Sequence, residues 1–576
     1  MKLGGTQTES SSTARRRAAW LLVAVTGVAT PASAQVTPAA DLASTSRVDA
    51  IFSDYDKPTS PGCAVGVYQD DRVVYQRAFG MANLDHDVAL TPASVFHVAS
   101  VSKQFTAAAI LLLAAEGKLS IDDEVRKYIP ELPDFRQRIT IRQLANHTSG
   151  IRDQWSLLGL AGWRYSRDLI TDDDVMEMLS RQTDLNFAPG ERHLYSNSGY
   201  TLLAIVVSRV SGQSFRDFTT ERIFKPLGML DTHFRDNFSE IVKHQAYGYA
   251  ASRGTFQLSV TNFDTAGATS LLTTVGDLAR WHQNFDAPRV GGDALIRGLL
   301  ERGVLSGGQK IDYAFGVVHG TYRGVPTVSH GGADAGYRAA FVRFPEQRFG
   351  IATLCNLASA NPTELSYRVA DIYLAGTLKE PRAASADTDP EVPLTSALKA
   401  RYAGLYWNAS AWLSRRIVLE NDTLFAVAGS DRLRMTPVGE ERFVVASPGG
   451  PIRVSFENDG KGALRMRTGP GATDLFDRIE PFAPTRAQLE EFTGDYRSDE
   501  MDAVFRITVK DGGLRLERTK SRPAPLEPTV TDVFTGPAGA VRFVRNSAGR
   551  ITGFTLEAGR VLGVRFWKDV RPRPES

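Results

Sequence analysis

The chain has 576 residues, enough for three or four domains with separate cores, and carries a formal net charge of +2 with 23% charged residues. No basic stripe interleaved with aromatics occurs, which argues against nucleic acid as a partner. Only 2 cysteines are present, so the fold rests on its cores and not on disulfide staples.

Arg15-Arg16-Arg17, the apolar run Ala18 to Val25 and Ala32-Ser33-Ala34 form a charged region, a short hydrophobic region and an A-x-A cleavage site. That order predicts a signal peptide, 1–34, removed after Ala34. The expected location is periplasmic or secreted, with no stable membrane anchor after cleavage. The consecutive arginines leave the general and twin-arginine export routes both open. No other stretch is long and apolar enough to span a bilayer.

Cys63 to Val67 and Arg72 to Gly80 read as a hairpin across Gln69-Asp70-Asp71. Cys63 and Cys355 each sit in an apolar, strand-like run, which predicts two small core residues in preference to a bridge. From Phe105 to Ala115 only Thr106 is polar, so a helix buried on all sides is expected, with Gly117 as its cap. Ser100 then stands at the first turn, with Lys103 on the same face three residues on. A buried lysine must be paired or discharged, and beside a hydroxyl it can activate a serine nucleophile.

Thr140 caps a short helix that stops at Gly150, and Asp172 to Leu179 is a further helix. Tyr195 to Tyr200 reads as a polar loop before an apolar helix from Leu202. Lys225 to Phe234 is a turn-rich link. Thr274 to Phe285 is an amphipathic helix with Leu278 and Trp281 inward. Thr327 to Gly332 leads into strands Ala339 to Phe344 and Phe349 to Leu354. Strands at both ends with helices between them predict an α+β fold, one antiparallel sheet covered by helices.

Residues 381–397 read as a linker, and an internal repeat follows. Gly404 returns as Gly494, Leu424 as Leu514 and Gly460 as Gly549, a period of about 90 residues. Short alternating strands, tight turns and no helix predict two small all-β, lipocalin-like barrels. The expected domains are the α+β domain at 35–380, the linker, and barrels at 398–484 and 485–576.

Three elements with chemical capacity line up: Ser100-x-x-Lys103, Tyr195-x-Asn197 and His330-x-Gly332. In this order they resemble the serine β-lactamase and penicillin-binding protein superfamily, and class C β-lactamases, D-aminopeptidases and related esterases in particular. Pro189-Gly190-Glu191, Pro226-Leu227-Gly228-Met229 and Leu144 to Gly150 agree, over roughly residues 45–376. The resemblance implies an acyl-enzyme on Ser100. Lys103 would stay close to Ser100 and hold down the pKa of Tyr195, whose phenol oxygen shuttles the proton. Asn197 would offer its amide to Lys103 and to the acyl group. The backbone N–H groups of Ser100 and Ala333 would form the oxyanion hole, and Gly331 and Gly332 would line the substrate strand.

The departure from that pattern is His330, where β-lactamases and carboxypeptidases of the superfamily carry lysine. A histidine near its ordinary pKa of about 6.5 is mostly neutral at pH 7, and its titration would lower activity below that pH. This leans towards D-amino acid amides and peptides or esters, and away from substrates clamped by a carboxylate. In related D-aminopeptidases the C-terminal β domains approach the active site, which is the expectation here too. No G-x-S-x-G, H-E-x-x-H or Walker lysine occurs, so no cofactor or catalytic metal is inferred. The alternatives are a class C-type β-lactamase or DD-peptidase, and a slow or inert ligand-binding scaffold. A dedicated deacylation base is not evident in the sequence.

Overall fold

The computed structural model describes residues 39–379, 390–428, 431–445, 452–460, 462–469 and 474–569. The expected signal peptide and residues 381–389 of the expected linker lie outside them. From Ser44 onward the chain forms one unit.

The sheet combines β1 (Cys63–Gln69) and β2 (Arg72–Phe79) with four strands from far along the chain. These are β3 (Val318–Tyr322), β4 (Val325–Asp334), β5 (Tyr337–Phe344) and β6 (Phe349–Cys355), in the order β3-β4-β5-β6-β1-β2. All five pairings are antiparallel. Alternation gives the sheet two apolar faces. Cys63, Val65 and Val67 join one core with Val369, while Ala64 and Tyr68 join the other with Phe341 and Trp281.

The β1–β6 register sets Cys63 opposite Cys355, and the two are joined by a disulfide with Cα atoms 4.0 Å apart. This corrects the expectation of two unbridged core cysteines. Their runs are strand-like, as the sequence indicates, but only the closure of the N-terminal hairpin onto the last strand makes them neighbours.

The buried helix is α1 (Lys103–Ala115), preceded by a 3-10 turn, Ala99–Ser102, that carries Ser100. Three shorter or later helices matter to the site: α2 (Ile141–Ala145), α3 (Asn197–Ser211) and α4 (Val275–Asp286). Thr140 and Gln143 form a reciprocal capping box on α2, which ends at Ala145, short of the expected Gly150. Helix α3 begins at Asn197, inside the stretch read as loop. Helix α4 is capped by Thr274 and buries Leu278 and Trp281, as its pattern predicts.

Two closed eight-stranded antiparallel barrels follow, from Gly404–Asn408 to Leu475–Ile479 and from Gly494–Ser498 to Val561–Lys568. Each is preceded by a short helix that the sequence reading missed, Ser396–Tyr402 and Arg486–Glu491. The repeat extends to contacts. The Tyr406 hydroxyl donates to the Tyr402 carbonyl at 2.9 Å, and Tyr496 donates to Phe492 at 2.8 Å. The first barrel has its own core, whereas that of the second is continuous with the core around α1 and α3. No helix among the described residues is long and apolar enough to cross a membrane.

Candidate active site

Ser100 stands on a tight turn whose preceding residue, Ala99, has φ +48°. A non-glycine residue there is unusual and shows that neighbouring structure holds the turn in place. Gly332 on β4 explains part of that support: a Cβ at this position would lie 2.2 Å from the Val98 carbonyl oxygen. The strand can press against the nucleophile turn only because this residue has no side chain. Gly331 lines the cavity, and a Cβ there would meet nothing closer than the Ala339 carbonyl oxygen at 3.8 Å. Strand β3 pairs with β4 only up to Ser329, so His330 to Asp334 present an open edge on that side. Ala333 and Ser100 both line the cavity beside this edge.

Lys103 is 0% exposed, and its Nζ donates to Ser100 Oγ at 3.0 Å, Asn197 Oδ1 at 2.9 Å and the Ala268 carbonyl at 2.7 Å. Burial pulls its pKa down to about 7, while Asp153 and Asp334 pull the other way and the Arg560 guanidinium adds to the lowering. A group poised there supplies an unprotonated amine next to the serine at neutral pH. Asn197 is itself held in place. Its backbone N–H and its amide both donate to Asp153 Oδ2 at 2.8 Å, while Asp153 Oδ1 caps the helix Gln154–Leu160.

Tyr195 differs from the expectation. Its phenol lies beside the Ser100 hydroxyl and the Lys103 ammonium is 4.9 Å from its ring centre, yet burial pushes its pKa up, not down. The Ser100 hydroxyl and the Arg560 guanidinium offset this in part. Lys103 does not hold Tyr195 as a phenolate: it is the lysine that gives up its charge, because desolvation of a fully buried ammonium outweighs its partners. Tyr195 is therefore an acid at neutral pH.

His330 also departs from the reading of its sequence. Nδ1 donates to the Gly331 carbonyl at 2.6 Å, and Nε2 accepts from the Tyr313 hydroxyl at 2.9 Å. Burial, with the nearby Lys103 charge, brings its pKa down to about 4. It stays neutral through the range in which the sequence reading had it titrate. His147, at φ +59°, is buried with its ring centre 4.1 Å from that of Tyr195, and burial lowers its pKa as well.

The structure thus gathers Ser100, Tyr195, Asn197 and His330 around one cavity, with Lys103 buried behind Ser100 and Gly331, Gly332 and Ala333 along the strand edge. Sequence reasoning missed Asp153, His147, Tyr313 and Arg560. Asp153 had a readable signal as a helix cap before Gln154. Arg560 had none, since it belongs to a turn of the second barrel more than four hundred residues away in the chain.

The Beta-lactamase family profile matches residues 48–374, a span that holds every one of these motifs. The chain belongs to the beta-lactamase family. It is 31% identical over 388 residues to penicillin-binding protein 4* of Bacillus subtilis (strain 168), covering 64% of this chain and 85% of that protein. It is 27% identical over 521 residues to a D-aminopeptidase of Cereibacter sphaeroides, covering 86% of this chain and 93% of that one, so this similarity runs on into the barrels. Among solved structures, the octameric penicillin-binding protein homologue from Pyrococcus abyssi has the same fold, with a TM-score of 0.54 and 22% identity over 76% of this chain and 99% of that chain. This member of the beta-lactamase family is a serine hydrolase.

Proposed function

We propose that the protein cleaves amide or ester bonds in short acyl donors built on D-amino acids, through an acyl-enzyme on Ser100. The observation that carries the chemistry is a fully buried Lys103, its pKa brought to about 7, at 3.0 Å from the Ser100 hydroxyl. Its neutral amine takes the Ser100 proton as Oγ bonds to the carbonyl carbon. The C–N or C–O bond then breaks as protonated Tyr195 gives its proton to the leaving group, and the Lys103 ammonium restores it. The Ser100 and Ala333 N–H groups serve as the oxyanion hole, where each donor is commonly worth about 3 kcal/mol. Water follows the same route in reverse roles, so Lys103 and Tyr195 also serve deacylation. The D-residue preference rests on the relative named a D-aminopeptidase, whose similarity covers both barrels as well as the hydrolase domain.

The test is a fluorophosphonate probe read by mass spectrometry, together with turnover of D-alanine p-nitroanilide. Wild type should be labelled on Ser100 and hydrolyse the anilide, and Ser100→Ala should do neither. A wild-type protein that stays unlabelled, when a control hydrolase is labelled, would favour the inert scaffold. We infer export as well, supported by the signal-peptide pattern at 1–34 and by the Cys63–Cys355 disulfide, a bond that persists in oxidising compartments.

A further inference from the structure

The cavity in front of Ser100 has a volume of about 1220 Å³, and three ionic side chains line it: Asp334, Arg338 and Arg560. Asp334 is committed, and Arg338 is tied by one nitrogen, Nη1, to its own turn. Asp334 is buried, with Oδ2 2.8 Å from His97 Nε2 and accepting from the Thr269 hydroxyl. Arg338 donates to the Ala335 and Tyr337 carbonyls at 3.1 and 2.7 Å.

Arg560 is different. Among the described residues its guanidinium makes no hydrogen bond. The nearest carboxylate oxygen, Asp153 Oδ2, is 4.0 Å away and already accepts two hydrogen bonds from Asn197. Its side chain is 46% exposed and lies 4.8 Å from the Tyr195 ring centre. The backbone beneath it is pinned. The Arg560 carbonyl accepts from the Asp153 N–H at 3.3 Å and from Asn186 Nδ2 at 3.0 Å, and Leu562 N–H donates to Asn186 Oδ1 at 2.8 Å. The turn at Gly559, φ +63°, lets the strands Ile551–Ala558 and Val561–Lys568 reverse tightly at this point. The second barrel therefore presents a fixed cation, with unused donors, to the wall of the cavity that carries Tyr195. His330 adds no charge there, because it is buried beside Lys103, which keeps its ring neutral.

We propose that Arg560 is a specificity residue that binds the carboxylate of the substrate, so that the site favours short peptides ending in a free carboxylate close to the scissile bond over their amides. Guanidinium and carboxylate match in shape and can form two parallel charge-assisted hydrogen bonds. This rests on the reading above that the acyl donors are D-residue compounds, and it names which of them fit best.

The test measures competitive inhibition of p-nitrophenyl acetate turnover by N-acetyl-D-alanine and by N-acetyl-D-alaninamide, which differ only in the carboxylate. Wild type should bind the acid about tenfold more tightly than the amide, less so at high salt, as expected for a half-exposed charged pair. In Arg560→Gln the ratio should fall to near one, and Arg560→Lys should keep part of it. If a variant turns the ester over too slowly, calorimetric titration of the same two compounds gives the same ratio. No preference in wild type, or an equal preference in Arg560→Gln, overturns the proposal. The L enantiomers separate the two readings. Equal binding of D and L acids, with the acid-over-amide ratio intact and dependent on Arg560, would sink the D-residue reading and leave the clamp standing.

Discussion

The charge state of Lys103 sets the rate in this mechanism, and it can be titrated directly. In water a lysine has a pKa near 10.5, so at pH 7 only about one in 3000 would be unprotonated. Burial brings the value to about 7, which makes about half of the molecules competent at that pH, a gain of about a thousandfold. The base must be unprotonated, so kcat/KM should rise with pH through about 7 and then level off. Between pH 6 and pH 8 the neutral fraction grows from about one-eleventh to about ten-elevenths, so kcat/KM should rise about tenfold. His330, already neutral above about pH 4, should add no second inflection near 6.5. The assay is initial-rate hydrolysis of p-nitrophenyl acetate from pH 5 to 9, read at the isosbestic wavelength of the product, with Ser100→Ala as the background. Lys103→Arg places a guanidinium that cannot discharge at the same site, and it should reduce kcat/KM by about a thousandfold or more. A limb centred below pH 5 would assign the base to another group. One above pH 9 would mean that Tyr195 works as its phenolate, and either result refutes the reasoning.

Two further outcomes follow from contacts between distant parts of the chain. Arg152 and Glu500 form an ion pair at 2.7 Å, 1% and 6% exposed, that ties the second barrel to the segment just before Asp153. Glu500→Gln leaves Arg152 buried without its hydrogen-bonded carboxylate and should destabilise the protein by about 3 kcal/mol, read from urea unfolding followed by tryptophan fluorescence; a loss below about 1 kcal/mol would mean the pair does not hold the barrel. For export, mass spectrometry of the protein recovered from expressing cells should show a chain beginning at Gln35 with Cys63 and Cys355 oxidised. An oxidised, folded protein that retains Met1 would count against a cleaved signal peptide.

How much of this was legible in the sequence depends on the range of the interactions involved. Periodicity and capping are local, so the buried helix behind Ser100, the Thr140 and Thr274 caps and the alternating strands of the repeat were all readable from neighbouring residues. The order of the three motifs was enough to identify the superfamily and bring together the residues around Ser100, although they span more than two hundred positions. Tertiary structure alone decided what those residues do. The protonation of Lys103, Tyr195 and His330 follows from desolvation, which depends on everything packed around them; it reversed the expectation for Tyr195, and for His330 it kept the neutral ring but moved its titration well below the expected pH. The Cys63–Cys355 bridge depended on register between strands from opposite ends of the domain. Arg560 reaches the active site only because the second barrel docks there, and no local pattern in Gly559-Arg560-Val561 encodes that approach.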